Sequence, residues 1–195
     1  RIIVVCLYIS ALLCGFVPCK AERLRVSSSQ MEIVLDAVPG EELKILYFGP
    51  SLTETDFGNI SCSGIKPYAA YPVFGRLTVY EPGFEPALAV THYDGNMTLE
   101  LGVSATEVVT EPSGAQVTRV YMKDKLYKFE VAVCFRAYQD VNMIETWTEI
   151  TNNEKKPVLL RRFDSGFLPV RLGNTWLSHL SGGGNNEGLL IQEPL

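Results

Sequence analysis

Histidine is nearly missing from this chain: His92 and His179 are the only two among 195 residues. A catalytic triad needs an imidazole set between a nucleophile and a carboxylate, and the chain has no G-x-S-x-G elbow for either histidine to serve. Cysteine is scarce as well. Of five, Cys6, Cys14 and Cys19 fall near the start, leaving Cys62 and Cys134 for the rest. Those two can pair in an oxidising compartment or stay as buried thiols. Without a C-x-x-C or a Cys/His cluster no metal site is expected. The glycine-rich stretch SGGGNNEG (181–188) lacks the lysine and following helix of a phosphate-cradling loop, so it reads as a turn and no cofactor is expected. Positive charge is the minority sign, 17 Lys and Arg against 22 Asp and Glu for a net −5. No basic stripe appears, which excludes a nucleic-acid partner and an anionic membrane surface.

What is present begins with one uncharged run, IIVVCLYISALLCGFV (2–17), behind Arg1. As a helix it covers about 24 Å at ~1.5 Å per residue, short of a ~30 Å hydrocarbon core, so stable membrane insertion is not expected. One positive charge, a short apolar run and then small residues make a secretory signal peptide, with cleavage expected after Ala21 and the initiating methionine missing. Residues 1–21 are thus assigned as leader and 22–195 as the mature domain, exported to the periplasm or the extracellular space. Two glycosylation sequons occur, Asn59-Ile60-Ser61 and Asn96-Met97-Thr98.

The mature part is written in short strands separated by turns. LRVSSSQMEIVLDAV (24–38) alternates loosely, and ELKILYFG is a compact apolar run ended by Gly49-Pro50. Residues 50–72, rich in Gly, Ser, Thr and Pro, read as a long loop. In PALAVTHYDGNMTLELGV (86–103), Asp94-Gly95-Asn96 between alternating runs predicts a hairpin with His92 in mid-strand, an ordinary hydrogen-bonded histidine. Along 126–140, Tyr127, Phe129, Val131, Val133, Phe135 and Ala137 share one face, as a half-buried strand requires. Cys134 falls on the other face with Glu130 and Arg136, away from the deep core. In 141–154, Ile144, Thr146, Thr148 and Ile150 oppose Glu145, Trp147 and Glu149. Further strands are expected in PVLLRRF and near FLPVRL. No amphipathic helix is legible after the leader, and the pattern predicts an all-β sandwich or barrel.

Glu145 and Glu149 are a candidate hydrolytic pair. Four residues apart on a strand, they stand ~13 Å from each other, beyond the roughly 5–9.5 Å that glycosidases use. They read as a solvated face.

One tract is more specific. Tyr71-Pro72 with Phe74-Gly75, Glu85-Pro86-Ala87-Leu88 with Val90-Thr91-His92, and Asp94-Gly95-Asn96 come first. Ile144-Glu145, Trp147-Thr148-Glu149-Ile150 and Asn153-Glu154 follow, then Trp176-Leu177, Gly182, Asn186-Glu187 and Glu193-Pro194-Leu195. In this order and spacing, from about residue 24 to the end, the chain strongly resembles the N-terminal domain of glycoside hydrolase family 36, the α-galactosidases. The resemblance implies a β-supersandwich, a large antiparallel two-sheet sandwich that precedes a catalytic (β/α)8 barrel. It implies a retaining mechanism with two barrel aspartates, one the nucleophile and the other acid and then base. No such barrel lies within these residues, so the chain is expected to be a fragment of the sandwich, inactive alone, its partners the missing barrel and, through the parent, an α-galactoside or another carbohydrate. No catalytic residue carries over. Trp176, His179, Asn185, Asn186 and Glu187 are the candidates for a substrate rim or a domain-docking surface. A stand-alone carbohydrate-binding sandwich using Trp176, His179 and the Asn185/Asn186 loop is the alternative. Two departures stand out: Gly183 and Gly184 occupy positions where the family has an acidic residue and a tryptophan, and the loop after Tyr47-Phe48-Gly49, which tetrameric members extend toward a neighbour, is short. The oligomeric state stays open.

Overall fold

The protein is seen here as a computed structural model, which describes residues 22–60, 68–74, 86–169, 176–182 and 188–194. The leader assignment, Cys62 and the tip residues Asn185, Asn186 and Glu187 lie outside the described residues. Among the described residues, no helix is long and apolar enough to cross a membrane.

The architecture is the all-β sandwich. Strands β1 (Glu22–Ser27), β2 (Met31–Ala37), β3 (Lys44–Pro50) and β4 (Tyr68–Ala69) form one antiparallel sheet in sequential order. Strands β6 (Leu101–Thr110), β7 (Gln116–Asp124), β8 (Phe129–Tyr138) and β9 (Met143–Asn152) form a second antiparallel meander. A ribbon of β5 (Leu88–Thr91) with β10 (Leu159–Phe163) and another of β11 (Trp176–Leu180) with β12 (Leu190–Pro194) complete the described strands.

Alternation decides which faces meet. Phe129, Val131, Val133, Phe135 and Ala137 of β8 all point inward and are buried, with Val120 and Met122 of β7 beside them. Leu24 and Val26 of β1, Ile33, Leu35 and Ala37 of β2, and Ile45 of β3 supply the opposing layer. Leu88 and Val90 of β5 join the same cluster, so the first ribbon closes the core rather than extending a sheet. Turn chemistry fixes the register of β7 and β8. Asp124 accepts the backbone N–H groups of Leu126 (2.8 Å) and Tyr127 (2.7 Å) on one oxygen and that of Glu100 (2.6 Å) on the other. The sheets are stitched at one end, where Ser28 donates its hydroxyl to the Asn142 side chain at 2.8 Å and Gln139 donates to the Ser27 carbonyl at 2.7 Å.

Four expectations change. The 50–72 segment contains a helix, α1 (Glu54–Asn59), capped by Thr53, whose hydroxyl accepts the Asp56 N–H at 3.2 Å. A polar one-and-a-half-turn helix leaves no apolar periodicity to detect. Asp94-Gly95-Asn96 is a turn, with Gly95 at φ 91° and the His92 N–H bonded to the Asn96 carbonyl at 2.8 Å. It is not a hairpin, because β5 pairs with β10 and His92 sits just past the strand end. Residues 167–169, the described part of the strand expected near FLPVRL, are irregular. Cys134 does lie on the outer face of β8, yet it is fully buried. Its cross-strand neighbours Arg119 and Trp147 flank it, and Trp147 donates its indole N–H to Glu149 at 3.0 Å, so the outer face is roofed at this row.

Candidate functional site

The chain order of β11 and β12 builds a ribbon whose connection carries three of the five candidate residues. Its register sets Trp176 opposite Pro194, Leu177 opposite Glu193, Ser178 opposite Gln192, His179 opposite Ile191 and Leu180 opposite Leu190. Strand alternation then separates two faces. Trp176, Ser178 and Leu180 lie on one with Leu190, Gln192 and Pro194; Leu177 and His179 lie on the other with Ile191 and Glu193. Trp176 and His179, three residues apart, therefore point to opposite sides and cannot contact one sugar ring from the same ribbon face. The Ser178 hydroxyl accepts from the Gln192 amide at 3.0 Å on the first face. On the second, His179 Nε2 meets Glu193 Oε1 at 3.3 Å, an exposed pair worth little on its own. Glu193 had no signal in sequence beyond its place in the family tract. Asn185, Asn186 and Glu187 fall between β11 and β12 in sequence and lie outside the described residues.

The other histidine is buried in a polar cluster. His92 Nδ1 meets Glu154 Oε1 at 2.7 Å and Nε2 meets the Thr98 carbonyl at 3.2 Å. The ring stacks on Tyr127 with centroids 3.6 Å apart and touches Phe129 edge-on. Tyr127 in turn donates its hydroxyl to Asp94 at 2.9 Å and accepts the Asn96 side-chain amide at 2.9 Å. The N–H of Asn96, followed by the Tyr127 hydroxyl, holds the Asp94 carboxyl below the usual aspartate range. With both ring nitrogens engaged and no hydroxyl or thiol nucleophile on either, His92 is a clamp between the 92–98 turn and the segment after β9. It is the hydrogen-bonded histidine expected. Glu154, its partner, was visible only as part of the Asn153-Glu154 motif.

The charged outer face of β6–β9 accounts for the candidate carboxylate pair. Glu145 accepts from Arg136 at 2.7 Å and from Tyr138 at 3.2 Å, while Glu149 takes the Trp147 indole. The Arg136 guanidinium lies 5.0 Å from the Trp147 ring centroid. Glu145 is thus spent on ties to the neighbouring strand β8, and Glu149 on the indole of its own strand. Among the described residues, no three His, Cys, Asp or Glu side chains gather as a metal site.

No curated protein matches the chain. Among solved structures, an α-galactosidase from Lactobacillus brevis superposes with a TM-score of 0.76 at 17% identity, over 90% of this chain and 27% of that one. A variant of the family 36 α-galactosidase AgaA from Geobacillus stearothermophilus, in complex with raffinose, gives 0.73 at 17% identity, over 89% of this chain and 28% of that one. AgaB from the same organism gives 0.74 at 17% identity, over 90% and 27%. At such identities these likenesses show the fold, and the chain spans little more than a quarter of the length of each. The sequence model of the glycosyl hydrolase family 36 N-terminal domain matches residues 41–195, and by that match the chain belongs to glycosyl hydrolase family 36, as its N-terminal domain.

Proposed function

We propose that this chain is the non-catalytic N-terminal domain of a secreted α-galactosidase that hydrolyses terminal α-galactosides with retention. The observation that carries the reading is the family match over 41–195 in a chain that covers only 27–28% of the solved α-galactosidases. In this reading the chemistry belongs to a barrel elsewhere in the longer protein, where two carboxylates would attack the anomeric carbon and move the proton. The sandwich contributes packing and, through the β11–β12 tip, part of the sugar-binding rim. The leader pattern of residues 1–21 supports export, to the periplasm or the extracellular space.

The test is turnover of a nitrophenyl α-galactoside by the purified chain, free of host enzyme. The expected result is none. Hydrolysis by the chain alone would overturn the reading. Calorimetry with galactosides examines the stand-alone binding alternative, for which exposed Trp176 is the one favourable feature. Saturable millimolar-range binding lost in Trp176→Ala would install that alternative, and the opposed faces of Trp176 and His179 argue for no binding.

A further inference from the structure

Asp94-Gly95 is the only place in the chain where an aspartate or asparagine is followed directly by glycine. Such a junction is chemically weak. Glycine has no side chain to hinder ring closure, so its backbone nitrogen can attack the aspartate Cγ. The carboxyl hydroxyl then leaves as water and a succinimide forms. Water opens the ring again at either carbonyl. One opening restores aspartate; the other leaves isoaspartate, with the main chain rerouted through Cβ. One water departs and one returns, so the change needs no oxidant, cofactor or partner. Burial does not prevent it here, because Asp94 and Gly95 are both exposed and a Cβ on Gly95 would meet nothing within 4 Å.

The turn engages each reacting group elsewhere. The Gly95 N–H is donated to the His92 carbonyl at 2.9 Å, which occupies the nucleophile. Of the carboxylate oxygens, Oδ1 accepts the Asn96 N–H at 3.0 Å and Oδ2 accepts the Tyr127 hydroxyl at 2.9 Å. The Asn96 bond first, then that of Tyr127, favours the ionised carboxylate, whereas ring closure needs the neutral acid. Two of these ties lie within the turn and open with it. The third comes from outside and is anchored: the Tyr127 ring stacks on buried His92 with centroids 3.6 Å apart, and Glu154 holds His92 at 2.7 Å. We propose that Asp94-Gly95 is a latent site of backbone isomerisation and that the Tyr127 hydroxyl is the lock that holds it closed in the folded protein. Isomerisation adds a carbon to the main chain inside the turn. It therefore works against the 2.8 Å bond from the His92 N–H to the Asn96 carbonyl, and against the hold of the Asn96 amide on Tyr127.

Ageing the purified chain at neutral pH tests this. Isoaspartate is counted by enzymatic methylation of its carboxyl group and assigned to position 94 by peptide mapping. Folded wild type is compared with wild type in urea, with Tyr127→Phe and with Val26→Ala. The Tyr127 ring is only half-buried and stays in place in Tyr127→Phe, so that variant folds and loses one charge-assisted hydrogen bond. Its isomerisation should run roughly tenfold faster than in the folded wild type. The chain in urea keeps none of the ties and should isomerise fastest. Val26→Ala thins the core at fully buried Val26 on β1 without touching the turn, and should age like the wild type. Tyr127→Phe ageing like the wild type overturns the proposal, and so does folded wild type ageing as fast as the chain in urea. Equal acceleration in Tyr127→Phe and Val26→Ala also overturns it, because global unfolding is then the route. A chain in urea that gains no isoaspartate at position 94 removes the site altogether.

Discussion

At the scale of single residues, the strongest electrostatic feature is Glu32, whose side chain is entirely buried on β2. Burial pushes its carboxyl up, but the bidentate Arg25 contact and the Leu52 N–H at 3.0 Å outweigh that and hold it below the usual glutamate value. Arg25 also reaches Glu54 and the Leu52 carbonyl and lies 4.7 Å over Phe57, tying α1 to the first sheet. Arg25→Ala leaves a buried carboxylate without its counter-ion and should cost about 3–5 kcal/mol in urea denaturation. The sign of the pH effect follows from the depressed value. The contribution is complete above the unfolded glutamate value of about 4.3 and fades as pH falls through the lower folded value. The wild type should therefore lose stability more steeply than Glu32→Gln below about pH 4; parallel curves would deny Glu32 this role. Cys134 makes a second check. Burial, then the nearby Glu149 carboxylate, pushes its thiol up to about 12, so its peptide should stay unalkylated at pH 8 in the folded chain and react fully in urea. Sequence placed Cys134 on the correct face and missed its burial, because alternation reports direction while the roof of Trp147, Arg119 and Glu149 comes from neighbouring strands.

Among the elements, the long strands were legible and the short ones less so. β8 and β9 each carry enough alternating positions to declare an inner face, and the structure keeps those faces. The Asp94-Gly95-Asn96 turn was equally clear, but its strands' partners were not: β5 finds β10, more than sixty residues on, a pairing no local pattern encodes. The same limit hid the approach of β6 to the turn after β2. Gly40, at φ 76°, donates to the Val103 carbonyl at 2.8 Å, and a Cβ on Gly102 would stand 2.8 Å from the Gly40 carbonyl oxygen. Gly102→Ala must push backbone against backbone and should cost about 1–3 kcal/mol, read as a lowered denaturation midpoint. An unchanged midpoint would show that this contact between sheets gives way freely. Between β11 and β12 the sequence showed only the glycine-rich stretch 181–188, read as a turn. The ribbon's division into a neutral face and a charged one depends on register, which becomes visible only when Trp176 is seen opposite Pro194.

For the whole molecule, one apolar core joins both sheets and the β5–β10 ribbon, with Phe129, Leu35, Leu43 and Leu88 fully buried within it. The described polar clusters serve that core. His92 and Glu154 clamp a turn, Arg25 and Glu32 strap a helix, and the carboxylates of β9 brace a sheet face. On the reading proposed above, such a domain would support chemistry located in another part of a longer protein. The most direct measurement is the coding sequence read beyond the codon for Leu195. The account predicts an open frame that continues into a (β/α)8 barrel with two aspartates at the ends of its strands. A stop codon directly after Leu195 would contradict it.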